Sequence, residues 1–173
     1  MSDIFPTSQG TEGQRTVEQR GLWFDELETG VTYRHSPGRT LTQADNVQFS
    51  TMTMNPQSLH LDVAGSEATE FGEPLINSLL TMSVLIGLSV GHLTQGTIVA
   101  NLGFEDTVFP APVFSGDTIY GRTEVLDKRL SRSRPNQGIV TFRHTAENQD
   151  GVVVALVTRT TLMHLSPEAG DRS

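Results

Sequence analysis

Residues 75 to 90 read LINSLLTMSVLIGLSV, apolar nearly all the way round a helical wheel. A helix of that kind has no face to offer to water, so protein must cover it on every side. Thr81, Ser83, Gly87 and Ser89 interrupt the run, which rules it out as a membrane span. The stretch therefore predicts one buried central helix. Everything after it reads as strands, over 97–106, 117–128, 138–147 and 151–164, with turn chemistry at Asn148 to Gly151 marking a hairpin. One buried helix followed by antiparallel strands predicts an α+β domain in which a sheet curls around that helix.

Upstream, Gly30 to Thr40 has strand composition. Thr42 with Asp45 three residues later makes a capping-box start for a short helix, which Pro56 limits by pushing Asn55 out of the α region. Residues 1–20 are rich in Gly, Ser, Thr, Gln and Glu without apolar periodicity and are expected to be a flexible tail; 21–165 form the domain and 166–173 a C-terminal tail. A chain of 173 residues holds one core of ordinary size.

Twelve Lys and Arg against twenty Asp and Glu give a net charge of −8, which disfavours a nucleic-acid partner. The absence of cysteine removes disulfide and thiol chemistry. With no basic-then-apolar leader at the N-terminus, a cytoplasmic protein is expected. The single basic cluster, Lys128, Arg129, Arg132 and Arg134, suits a phosphorylated ligand or a solvated loop, and both readings stay open.

Two constellations carry chemistry. Asn55-Pro56-Gln57-Ser58-Leu59-His60-Leu61-Asp62 crowds proton-transfer groups into a turn, and His is the side chain best suited to move protons near neutral pH. Asn77-Ser78 opens the central helix, where unpaired N–H groups and the positive end of the helix dipole can hold a developing oxyanion. Asp62 is read as the cap of a helix starting at Val63. His35, His92, His144 and His164 have no companion at metal-ligand spacing, so no metal site is expected, and no phosphate-binding glycine loop or nucleophile elbow occurs.

A third segment, Phe109-Pro110-Ala111-Pro112-Val113-Phe114-Ser115-Gly116-Asp117, together with Asn148-Gln149-Asp150-Gly151 before the last strand, resembles the MaoC-like dehydratases of the hot-dog superfamily. The resemblance covers Gly21 to Leu165. It implies a single hot-dog fold, a homodimer or larger homo-oligomer, an active site near the subunit interface, and an acyl-coenzyme A substrate handled without a separate cofactor. Hydratases of that family carry D-x-N-P-x-H-x-D. His60 and Asp62 match it, whereas Asn55 stands where the first Asp is usual, and Gln57 and Ser58 replace Asn and Pro.

An amide orients water but does not take its proton. Three explanations follow: His60 works as sole base with Asn55 holding the water, the substrate supplies a carboxylate, or the site is inactive. The first is preferred. The family's I-x-H-G at the helix start is here Ile76-Asn77-Ser78, whose backbone N–H groups survive the change. Ser83 aligns with a serine that reaches the catalytic pair in some relatives, or else bonds back to the preceding helical turn.

The reading is a hydratase or dehydratase of enoyl-CoA and 3-hydroxyacyl-CoA thioesters, with Asn55, His60, Ser78 and Ser83 as catalytic residues and Asn77, Arg132 and Arg134 as substrate-binding ones. Short branched or dicarboxylic esters of the mesaconyl-, itaconyl- or methylmalyl-CoA type are favoured, because an amide at 55 removes repulsion towards a second carboxylate. A hot-dog thioesterase and a non-catalytic acyl-CoA-binding subunit are the alternatives.

Overall fold

The computed structural model describes residues 17–170. Most of the tail expected over 1–20 lies outside them, as do residues 171–173. Within the described part, the C-terminal tail is not free: Pro167–Gly170 forms a helical turn, and Asp25 accepts hydrogen bonds from the Ser166 N–H and hydroxyl at 2.7 and 2.8 Å.

The elements run β1 (Thr32–Arg34), β2 (Arg39–Thr40), α1 (Gln43–Met52), α2 (Ser58–Leu61), α3 (Val63–Glu67), α4 (Ser78–Ser89), a π-helical turn (Val90–Thr94), then β3 (Ile98–Val108), β4 (Thr118–Leu130), β5 (Gln137–Glu147) and β6 (Val153–His164). The sheet order is β1-β4-β5-β6-β3, with β2 also on β4 and every pairing antiparallel. The α+β class and the sheet around a central helix are as the sequence predicts. The strand expected over Gly30 to Thr40 is two short strands on β4, separated at Pro37, which has no N–H to give to a ladder.

Alternation decides which strand face meets α4. In β4, Ile119, Gly121, Thr123 and Val125 are buried, while Arg122 and Glu124 point outward, where Arg122 pairs with Glu147 and Arg143 with Glu124 across the strands. The core divides into two apolar clusters. Leu41, Ile76, Leu80, Leu85, Ile119, Ala146 and Val157 form one, and Phe24, Leu27, Leu93, Val125, Phe142 and Met163 the other. Between them each element contributes a polar residue: Ser89 between Leu85 and Leu93, Thr123 between Ile119 and Val125, His144 between Phe142 and Ala146, and Arg159 between Val157 and Met163.

Within a single chain α4 is covered on one side only. The sheet buries Leu80, Thr81, Leu85 and Ser89, but Ser78, Leu79, Ser83 and Gly87 are exposed along one face, with Leu79 at 57%. One curled sheet covers one side of a helix, so the other side stays open in a single chain. Among the described residues no helix is long and apolar enough to cross a membrane.

Candidate active site

α1 begins where its capping box predicts, with the Thr42 hydroxyl accepting from the Asp45 N–H at 3.2 Å and the Asp45 carboxylate accepting from the Thr42 N–H at 2.9 Å. Its buried residues are polar: Asn46 and Ser50, four residues apart and so on one face, are both fully buried. The helix ends at Met52; Met54 then takes a positive φ of 56°, and the chain turns at Asn55. The Asn55 side-chain oxygen accepts from the Gln57 N–H at 3.1 Å, an Asx turn that also fixes which end of the amide is oxygen. Its NH2 group has no partner among the described residues.

The half-buried His60 sits in the four-residue helix α2. Its Nδ1 lies 2.9 Å from the carbonyl oxygen of Leu75. A carbonyl only accepts, so Nδ1 carries the proton and Nε2 presents a lone pair. That tautomer makes His60 a base at Nε2. Asp62 is turned to a different task, accepting from the Gly65 N–H at 2.9 Å as the cap of α3, as the sequence suggests.

α4 starts three residues after Leu75. Asn77 caps it, its side-chain oxygen accepting from the Leu79 N–H at 3.0 Å, while its NH2 donates to the Ser50 hydroxyl at 3.2 Å and its own N–H goes to the Asn46 side-chain oxygen at 2.8 Å. The Ser78 N–H is left at an exposed helix start with no partner among the described residues. It is a donor available to a ligand carbonyl.

The proline-containing segment holds this helix start in place. The Ile76 N–H donates to Val113 O at 2.8 Å, and Leu75 bridges to Phe114. Gly116, at a φ of 102° that favours glycine, turns the chain so that its N–H reaches Leu41 O at 2.8 Å. Asp117 then accepts from the Phe114 N–H at 2.9 Å and from the Gln149 NH2 at 2.8 Å. The two segments that carry the family resemblance thus touch each other and brace α4 from behind.

The remaining expected residues lie apart from this cluster. The Ser83 hydroxyl donates to Leu79 O at 2.7 Å on the open face of α4, the back-bonded alternative for that residue. Arg132 and Arg134 occupy the exposed turn between β4 and β5, at the far end of a 13-residue strand from Thr118. At about 3.3 Å per residue that is roughly 40 Å along the strand, so a single chain does not bring them to His60. Sequence reasoning missed Asn46 and Ser50. A polar residue inside a short helix without apolar periodicity gives no signal that its side chain is buried.

The MaoC like domain matches residues 26–148. The chain belongs to that family. It is 31% identical to Protein MaoC of Klebsiella aerogenes over 139 residues, covering 75% of this chain and 41% of that protein. To the mesaconyl-CoA hydratase of Haloarcula marismortui it is 25% identical over 157 residues, covering 90% of this chain and 44% of that one. A solved Mycobacterium tuberculosis protein with a double hot-dog fold superposes with a TM-score of 0.77 at 28% identity, over 86% of this chain and 46% of its own. This MaoC-like chain therefore has the hot-dog fold and spans under half the length of the curated relatives it matches.

Proposed function

We propose that this MaoC-like domain adds water across the Cα=Cβ bond of an enoyl thioester, or removes it from a 3-hydroxyacyl thioester. The observation that carries the reading is the His60 tautomer: a fixed Nδ1–H leaves a lone pair at Nε2 on a residue tied to the start of α4. The Ser78 N–H and the positive end of α4 polarise the thioester carbonyl, which makes Cβ electrophilic. The Asn55 NH2 holds a water by its oxygen. His60 takes a proton from that water as the oxygen bonds to Cβ, and returns it to Cα, so the sum is one water added.

The thioester is read as a coenzyme A ester and the acyl group as short and dicarboxylic, supported by the kinship with a mesaconyl-CoA hydratase and by the uncharged amide at 55. A second chain completes the site in this reading. The open α4 face and the exposed Leu102, Phe104 and Val108 of the edge strand β3 support it.

Following loss of the enoyl-thioester absorbance beside release of free thiol separates hydratase from thioesterase, and silence in both leaves a binding subunit. His60→Ala is expected to lower turnover by about 10² to 10⁴. Asn55→Asp is expected to favour crotonyl-CoA over a dicarboxylic ester, through like-charge repulsion. Fully active His60→Ala removes the catalytic assignment, and an unchanged preference in Asn55→Asp removes the dicarboxylate one.

A further inference from the structure

Asn46 spends both of its N–H donors on carbonyls of the site: one on His60 O at 3.1 Å and one on Leu75 O at 3.0 Å. Its oxygen accepts the Asn77 N–H at 2.8 Å. Two carbonyls that only accept and an N–H that only donates leave one way to place this amide. It is fully buried, so no water competes for these bonds.

The three partners belong to the two halves of the site. His60 O is the backbone from which the imidazole hangs, and Leu75 O is the atom to which the imidazole Nδ1 is bonded. One NH2 group therefore ties both anchor points of the ring together, with the Gln43 NH2 a second donor to His60 O at 3.2 Å. Leu75 O receives two donors, the His60 Nδ1–H and the Asn46 N–H, which fill its two lone-pair directions. Turning the ring to the other tautomer would set the Nδ1 lone pair against that carbonyl. On the other side of the amide, Asn77 is the cap that occupies the Leu79 N–H, with the Ser78 N–H next to it left open. Ser50, one turn along α1, repeats the pattern: its hydroxyl receives the Asn77 NH2, and its carbonyl receives the Asn55 N–H at 2.8 Å.

We infer that Asn46 is a positioning residue that holds the base His60 and the N–H donors of the α4 start as one rigid unit, with Ser50 extending the brace to Asn55. The inference rests on His60 being the base. Asn46 touches no substrate in this scheme and acts through His60 and Asn77. A frame of this kind is worth having because a shift of about 1 Å between base and oxyanion donor costs turnover on the order of 10²-fold.

The test uses the full chain with Asn46→Leu, which keeps the branched shape and removes all three bonds, and Asn46→Ser as a smaller side chain in case the first does not fold. Nitrogen-15 long-range spectra of the histidines report the His60 tautomer directly. The wild-type protein is expected to show a protonated Nδ1 and a bare Nε2, and the variants a mixture of tautomers. Turnover should fall about 10²-fold with KM changed much less, and the pH dependence of kcat should move with the tautomer. An Nε2–H tautomer in the wild type overturns the inference without any variant. So does a folded Asn46→Leu or Asn46→Ser with wild-type tautomer and turnover. A changed tautomer with unchanged turnover keeps the brace and removes His60 as the base, so the two readings fail separately.

Discussion

Two polar clusters flank α4, and their hydrogen bonds close differently. At its N-terminus Asn46, Ser50, Asn77 and His60 exchange bonds, and the Asn55 NH2, the Ser78 N–H and the His60 Nε2 stay without a partner among the described residues. In the layer between the two apolar clusters, Thr123 is bonded at 2.7 Å both to His35 Nε2 and to His144 Nδ1. A hydroxyl donates once and accepts twice, so at least one of the two imidazoles gives its proton to Thr123. Among the described residues the chain ends there, with His35 Nδ1, His144 Nε2 and Arg159 Nη1 buried and without a partner. The first cluster fixes the backbone around the candidate site; the second lowers stability through groups that an apolar core would not need.

The largest expected consequence of that difference is acid sensitivity. Burial lowers the His35 pKa to about 4, with His92 beside it adding to the effect. Burial, then Arg159, then His35 lower that of His144 to about 3. Both are neutral when folded and take protons below about 6.5 when unfolded, so unfolding binds protons and stability falls with falling pH. The contribution is full above pH 6.5 and is lost progressively down to about 4 and 3. With two such groups the slope approaches about 2.7 kcal/mol per pH unit. Asp25, Glu26 and Asp45, whose pKa values are lowered, add their loss from about pH 5 downward, as the unfolded carboxylates take up protons. Denaturant titrations between pH 6.5 and about 5.5 isolate the histidines, and His144→Gln should remove about half the slope. A flat profile there would break the comparison.

A smaller effect is expected at Arg159. Its guanidinium is buried, donates from Nε to Asn101 at 3.0 Å, and has no carboxylate within ion-pair distance among the described residues. Desolvation lowers its pKa. Arg159→Met removes an uncompensated cation and keeps much of the length, while the exposed Asn101 exchanges the lost bond for water. The variant should be neutral to about 2 kcal/mol more stable in urea denaturation. A loss of that size instead would show that an anion from outside the chain reaches Arg159.

How much of this could be read from the sequence follows the same division. β4, β5 and β6 were legible because apolar residues alternate and Asn148 to Gly151 marks the turn, and α1 because Thr42 and Asp45 cap it. His60 was legible because its motif spacing is local. Asn46 was not, since the bonds that give it meaning go to residues 14, 29 and 31 positions away. Thr123, His144 and Arg159 were hidden for a related reason: each sits among buried apolar residues of its strand, and only strand register sets Thr123 opposite His144 and brings Arg159 to a diagonal neighbour of His144. The 57% exposure of Leu79 was not legible because an apolar wheel does not say which sides of the helix its own chain covers.

The smallest effect is expected where the sequence suggested a binding cluster. Lys128, Arg129, Arg132 and Arg134 are close in sequence, yet Lys128 turns inward, donating to Phe24 O at 3.1 Å and to Leu27 O and lying 5.0 Å from the centre of the Phe24 ring. Its charge is thereby withdrawn from any surface patch. Arg132 and Arg134 are exposed in the turn, with the Arg134 N–H donating to the Ser131 hydroxyl at 3.2 Å. They stand a whole strand away from His60, so neither reaches a ligand that lies at the start of α4 of the same chain. Exposed charges of this kind contribute about 0.5 kcal/mol, and Arg132→Ala and Arg134→Ala should therefore change KM by less than about threefold. A rise of about tenfold that shrinks with added salt would mean phosphate or carboxylate pairing after all. Since one chain cannot bring the turn to His60, that outcome would require the turn of a second copy to reach the site, and mixing Arg132→Ala with His60→Ala chains would then restore activity in the mixed oligomer.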